Sequence, residues 1–295
     1  MRDQGKSPPA VPARRPPWLK TRIPTGGEFV RVRELVERHG LHTVCQSARC
    51  PNIGHCWSRR TATFMILGNV CTRSCRFCAV AKGIPQPVDL AEPRRVAEAV
   101  QKLGLRYAVI TSVTRDDLPD GGASLFAQTI REIRKRVPDC RVEVLIPDFR
   151  GSRDALELVL EARPDVLNHN LETVPSLYSL VRPQADYRRS LQVLAWAHQA
   201  GVVTKSGLML GLGETQEEVR QVLWDLRDAG CTILTLGQYL QPSAQHLPVL
   251  RFVPPEEFSL WRQWGLSIGF RHVEAGPLVR SSFHAEEQAG HLAGC

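Results

Sequence analysis

The chain has 295 residues, 43% hydrophobic and 23% charged, the composition of a soluble globular protein with one large core or two smaller ones. No apolar run approaches the roughly 18 residues of a membrane helix, and no continuous apolar stretch near the N-terminus resembles a signal peptide. The formal charge of +8 is concentrated in residues 1–40, with nine Lys/Arg against four Asp/Glu, but no aromatic platform or nucleic-acid motif accompanies it, so neither a membrane nor a nucleic acid is expected as partner.

Without an export signal the cysteines are expected to stay reduced in a cytoplasm. Pro8, Pro9, Pro12, Pro16 and Pro17 would break the amphipathic helix of a transit peptide. Residues 1–26 therefore read as an extended, basic, Pro-rich arm, either a solvated tail or an electrostatic grip on an acidic protein. Phe29 to His39 reads as a short helix stopped by Gly40, and residues 41–60 as a loop with turn residues Pro51, Asn52 and Gly54. A buried strand over 61–67 ends at Gly68. Strands are then expected at 106–112, 141–146, 166–167, 202–210 and 232–236. Helices are expected at 90–103, 122–137, 152–162, 175–181, 188–200, 215–229 and 255–268. The pair Thr215 and Glu218 forms a capping-box pattern, and Pro255 opens the last helix. Six strand–helix units imply parallel strands with helical crossovers, as an open sheet or a partial barrel. In either, the chemistry gathers beyond the carboxyl ends of the strands.

Six of the nine cysteines fall between residues 45 and 78. Cys45, Cys50 and Cys56 are spaced C-x4-C-x5-C; Cys71, Cys75 and Cys78 are spaced C-x3-C-x2-C, just after the first strand. Three ligands per group leave a closed tetrahedral zinc site one short, and a disulfide framework needs pairs. Three thiolates do suit an iron–sulfur cluster with one iron open, although a zinc site pooling the triplets stays open on spacing alone. Cys140, Cys231 and Cys295 have no partner at ligand spacing and read as structural or incidental.

The second triplet, with Phe77 before its last cysteine, resembles the radical S-adenosylmethionine superfamily. The first triplet just upstream is similar to that of the lipoyl synthase family, as are Arg115-Asp-Asp117, Pro147-Asp-Phe-Arg-Gly151, Asn168-His-Asn-Leu-Glu172, Lys205-Ser-Gly-Leu-Met209 and Arg280-Ser-Ser282. This resemblance covers about residues 18–290 and leaves the arm outside. It implies an α/β fold, a partial (β/α)6 TIM-like barrel over 61–270. An N-terminal extension at 27–60 would carry the auxiliary-cluster cysteines, and a C-terminal segment at 271–295 would return a serine to them. The implied reaction inserts two sulfur atoms, at C6 and C8 of a protein-bound octanoyl-lysine. It uses 5′-deoxyadenosyl radicals from S-adenosylmethionine and two 4Fe–4S clusters.

By the resemblance, Cys71, Cys75 and Cys78 hold the radical-forming cluster. Cys45, Cys50 and Cys56, with Ser282 rather than Ser281 as fourth ligand, hold the cluster that donates sulfur. Phe283 stands where the family places a tyrosine. Asn170, Glu172, Arg182 and Lys205 are candidates for contacts to S-adenosylmethionine, each weighed against a turn, cap or salt-bridge role. His169 reads as a satisfied polar core residue, and the Asp116–Gly122 loop as an acidic turn with a shaping role. Expected partners are octanoylated carrier domains, either a 2-oxoacid dehydrogenase acyltransferase subunit or the glycine cleavage H protein. An electron donor such as ferredoxin or flavodoxin and an iron–sulfur carrier protein complete the set. The alternatives are a biotin-synthase-like radical enzyme and a zinc-stapled binding protein.

Overall fold

The computed structural model describes residues 15–21 and 26–290. Residues 1–14 and 22–25 of the expected arm, and Cys295, lie outside the described residues. Residues 15–21 do not run free: Pro17–Leu19 makes a single turn that buries Leu19. The N-terminal extension follows as helix α1 (Gly27–Arg38), the two-residue strand β1 (His42–Thr43) and helices α2 (Val44–Ser47) and α3 (Ile53–Ser58). The first triplet, expected in a loop, is thus carried mainly on two short helices. Thr43 caps α2 through its hydroxyl, which accepts from the Gln46 amide at 3.3 Å.

Strand β2 (Thr63–Ile66) opens the barrel, followed by the small parallel pair β3 (Val70–Cys71) and β4 (Ala81–Lys82). The alternation then runs through α4 (Glu92–Leu103), β5 (Tyr107–Ser112), α5 (Ala123–Arg136), β6 (Arg141–Leu145), α6 (Arg153–Glu161) and β7 (Val166–Asn168). It continues through α7 (Tyr178–Val181), α8 (Tyr187–Gln199), β8 (Val203–Leu210), α9 (Gln216–Asp228), β9 (Ile233–Gln238) and α10 (Pro255–Ser267). Both halves of the Thr215–Glu218 capping box form at the start of α9. The six expected strand–helix units are all present. A seventh parallel strand, β10 (His272–Gly276), pairs with β9 inside the stretch expected to be a C-terminal extension, and helix α11 (Ala285–Gly290) follows.

The sheet order is β1-β2-β5-β6-β7-β8-β9-β10, with β1 antiparallel to β2 and the other pairs parallel. Its two ends do not meet, so the barrel is partial. Alternation along each strand divides the side chains. Ala108, Ile110, Val142 and Val144 face the helices and join a core with Val96, Val100, Phe126 and Ile130. Burying each of these Val, Ile and Phe side chains contributes about 1.5–3 kcal/mol. Tyr107, Val109, Val166 and Ile233 face inward near the strands' N-terminal ends, where Ala285 and Ala289 of α11 pack on them. The barrel is therefore plugged at that end and open at the other.

Candidate active site

A cavity of about 580 Å³ occupies the open end, lined from the parallel strands other than β7 and β10 and by the segments that follow those two. The second triplet enters where Leu67 (φ 68°) and Gly68 (φ 85°) turn the chain out of β2. The β3–β4 pair frames the loop between Cys71 and Lys82, and neighbouring loops hold it. Thr72 donates its amide and hydroxyl to the Thr114 carbonyl at 3.1 and 3.0 Å. The Arg76 amide donates to Val181 O at 2.9 Å, and the Ser74 amide to Gln184 Oε1 at 2.6 Å. His246 Nε2 donates to the Cys78 carbonyl at 3.1 Å, which fixes that nitrogen as the protonated one. Behind the loop, buried Arg73 pairs with Asp116 at 2.6 Å and with Asp148 at 2.6 Å, and Arg189 reaches Asp148 at 3.3 Å. Burial works to raise the Asp148 carboxyl, but the Arg73 guanidinium overrides it and holds it down at about 2. The acidic loop thus shapes the site: Asp116 anchors Arg73, Asp117 pairs with Arg115 at 2.8 Å, and Asp120 caps the turn into α5.

Within each triplet the thiols lie in electrostatic reach of one another. Burial pushes Cys45 up to about 11 and Cys56 and Cys78 up to about 12, with neighbouring thiols adding to the rise. As free side chains they are neutral thiols; only a strong cationic centre would deprotonate them. Cys50, Cys71, Cys75 and Cys78 line the cavity, while Cys45 is buried behind it. Among the described residues no three His, Cys, Asp or Glu side chains close around a single ion. A cubane cluster binds each cysteine through a different iron and needs no such convergence.

The candidate contacts divide. Asn170, Glu172 and Arg182 line the cavity; Lys205 does not. Expected as a contact to S-adenosylmethionine, Lys205 instead points from β8 into the barrel interior below the cavity, fully buried and paired with Glu143 at 2.9 Å. Tyr107 Oη at 2.7 Å and Asn168 Nδ2 at 3.2 Å complete that carboxylate's hydrogen bonds. Gly211–Glu214 is likewise a plain strand-to-helix turn outside the lining, with the Gly211 amide bonded to Glu214 at 2.6 Å. Arg182 Nη1 donates to the carbonyls of Asn170 and Leu171, each at 2.9 Å. Its Nε, the Asn170 Oδ1 and the His169 Nε2 are buried with no hydrogen-bond partner among the described residues. Leaving such groups unpaired costs about 1–3 kcal/mol each, so this wall fits a polar ligand. His169, read from sequence as a satisfied core residue, belongs to it. The sole signal available was its place between Asn168 and Asn170, past a strand end.

The chain's last segment meets the first triplet. Asn52, at the N-cap of α3, donates its side-chain amide to the Leu278 carbonyl at 2.6 Å instead of capping the helix. Gly237 on β9 accepts the segment at close range: a Cβ there would stand 2.2 Å from Val279 O. Half-buried Arg280 lies in the fields of both Cys50 and Glu172. Ser281 and Ser282 line the cavity, and Phe283 stacks on His284 with ring centroids 3.9 Å apart.

Residues 65–226 match the radical SAM superfamily model, and residues 4–50 match the N-terminal domain of lipoyl synthase. The second match reaches back into the arm that the motif resemblance left out. A lipoyl synthase of Rubrobacter xylanophilus is 62% identical over 276 residues, covering 93% of this chain and 86% of the relative. The chain belongs to the lipoyl synthase family. Another member, from a Roseiflexus species, is 58% identical and covers 94% of this chain and 93% of its own. Methylornithine synthase superposes with a TM-score of 0.52 at 14% identity, over 79% of this chain and 72% of that one. The hydrogenase maturase HydG gives 0.54 at 17%, over 76% and 57%; both likenesses concern the fold alone. As a lipoyl synthase family member the chain is a radical S-adenosylmethionine enzyme of sulfur insertion, with a 4Fe–4S cluster and the auxiliary cluster characteristic of this family. Among the described residues no helix is long and apolar enough to cross a membrane.

Proposed function

We propose that Cys71, Cys75 and Cys78 hold the radical-forming cluster, that Cys45, Cys50, Cys56 and Ser282 hold the auxiliary one, and that Asn170, Glu172 and Arg182 contact S-adenosylmethionine. When bound, these groups supply hydrogen abstraction from an unactivated carbon and the sulfur that replaces it. One observation carries the assignment: a single cavity is bordered by the second triplet, by Cys50 of the first and by Ser282. The chain's own work is positional. Arg73, Asp116 and Asp148 stiffen the loop that presents the second triplet. Met65, Val113, Ile146, Leu208 and Met209 give the cavity apolar walls that suit an acyl chain and exclude water. Ser282 is half-buried and, among the described residues, makes no side-chain hydrogen bond, whereas the Ser281 hydroxyl is already engaged, which favours Ser282 as ligand.

The substrate is an octanoyl chain on a lysine of a carrier domain, so the carrier must sit on the cavity rim. Exposed Arg15, Arg49 and Lys82 border that rim, and among the described residues none of them has a carboxylate partner. The acyltransferase subunit of a 2-oxoacid dehydrogenase and the glycine cleavage H protein are the candidate carriers. A ferredoxin or flavodoxin would deliver electrons, and an iron–sulfur carrier protein would restore the auxiliary cluster. The test is anaerobic incubation with an octanoyl-lysine peptide, reductant and S-adenosylmethionine, read by mass spectrometry. Two added sulfurs are expected from a chain loaded with about eight irons and eight sulfides. Alanine at Cys71, Cys75 or Cys78 should abolish cleavage of S-adenosylmethionine. Alanine at Cys45, Cys50 or Cys56 should spare cleavage and abolish thiolated product. Zinc in place of iron, with no sulfur added, refutes the assignment.

A further inference from the structure

The two serines of the Arg280-Ser-Ser282 sequence occupy unlike positions. The Phe283 amide donates to the Arg280 carbonyl at 2.9 Å, so residues 280–283 form a turn with both serines at its centre. Two flanking contacts fix that turn's entry: Asn52 on the Leu278 carbonyl, and the Val279 carbonyl laid against Gly237. Its exit is held where Gln288 of α11 donates to the Phe283 carbonyl at 2.6 Å. Inside the turn, Ser281 Oγ accepts from Asn170 Nδ2 at 2.6 Å, a bond 111 residues apart in sequence. Asn170 Nδ2 also donates to Glu172 Oε1 at 3.0 Å. Reversing the amide would set its oxygen against that carboxylate, so Glu172 determines which atom faces Ser281.

We infer that Ser281 is a positioning residue, whose hydrogen bond to Asn170 ties the wall that receives S-adenosylmethionine to the turn that carries Ser282. Ser281 itself stays unligated, because its hydroxyl oxygen already faces the Asn170 amide. Its partner also presents an unpaired Oδ1 to the cofactor wall. A ligand that engages Asn170 therefore sharpens the position of Ser281 and, through one peptide unit, of Ser282. Linkage makes the effect reciprocal: a cluster that fixes Ser282 also favours the binding-ready Asn170. This inference rests on the assignment of Ser282 as the fourth auxiliary ligand.

The test follows iron loss to a chelator in the anaerobic, fully loaded chain, with Mössbauer spectra distinguishing the two clusters. Ser281→Ala should lose auxiliary iron about three- to tenfold faster than the parent, the scale of one hydrogen bond. The radical cluster should be unaffected, and Ser281→Thr should restore the parent rate. Saturating S-adenosylmethionine should slow auxiliary iron loss in the parent and not in Ser281→Ala. Equal auxiliary rates in parent and Ser281→Ala, equal acceleration at both clusters, or failure of threonine to rescue would each overturn the inference. Ser282→Ala separates the two ideas. If it too holds auxiliary iron like the parent, the Ser282 assignment fails; if only Ser281→Ala does, the assignment stands and the tie to Asn170 fails.

Discussion

His169 Nδ1 lies 2.9 Å from the Ile146 carbonyl, so that nitrogen carries the proton. Burial brings the imidazole down to about 4, which keeps it neutral and leaves Nε2 as a buried lone pair on the cavity wall. His169→Asn retains a donor for Ile146 and removes the second acceptor. It should weaken binding of S-adenosylmethionine about tenfold, by equilibrium dialysis of the loaded chain, with no change in melting temperature. His169→Gln should recover part of the loss, and parent-like binding by the asparagine variant would exclude a ligand contact. Asp148 bears on stability instead. Its carboxyl is held at about 2 in the folded chain and returns to about 3.9 on unfolding, so its stabilisation is full above that value and fades as pH falls toward 2. Chemical denaturation of the parent and of Asp148→Asn should differ by about 3 kcal/mol at pH 7, since the variant leaves Arg73 buried and short of a charge. The gap should narrow between about pH 4 and pH 2.

The elements that could be read from the sequence were those with a helical period or an unbroken apolar run. Helices α4, α5 and α9 repeat their apolar residues over enough turns to reveal a buried face, and the Thr215–Glu218 pair marks where α9 begins; strand β5 shows instead as a short continuous apolar run, the mark of a strand buried on both faces. Strand β10 escaped because it is an edge: Val273 is its one buried residue, while His272 and Glu274 interact with each other at 3.3 Å. Helices α2 and α3, of four and six residues, are shorter than the windows that reveal helical period. The proposed cluster ligands come from motif resemblance, whereas Lys205 was misplaced because residue type cannot say how deep along β8 a lysine sits: it points inward but lies below the cavity that Gly207 to Met209 line. Nor could sequence show that Asn52 forgoes its cap to hold Leu278. Asn52→Ala should loosen this junction by about 1 kcal/mol, read as faster proteolytic cleavage after residue 276 with the barrel core still intact.

At the scale of the whole molecule, three exposed cations gather at one rim. Arg15, Arg49 and Lys82 border the mouth, where the lining carboxylates are Asp148 and Glu172, held by arginines and by Asn170. Binding of an octanoylated carrier domain should weaken as salt rises. The triple variant Arg15→Glu, Arg49→Glu, Lys82→Glu should slow association at least tenfold in stopped-flow measurements, while S-adenosylmethionine affinity is retained. Unchanged association would make the rim charge incidental. The seating of Leu278 and Val279 on Asn52 and Gly237 also sets an order in time. Cys45, Cys50 and Cys56 leave the ribosome more than 200 residues before Ser282, so under the proposed ligand assignment a nascent chain completes its radical-forming set long before its sulfur store has a fourth ligand. Under that assignment, charging of the store is reserved for finished chains, and a chain broken off before Leu278 should lose auxiliary iron faster than the full chain.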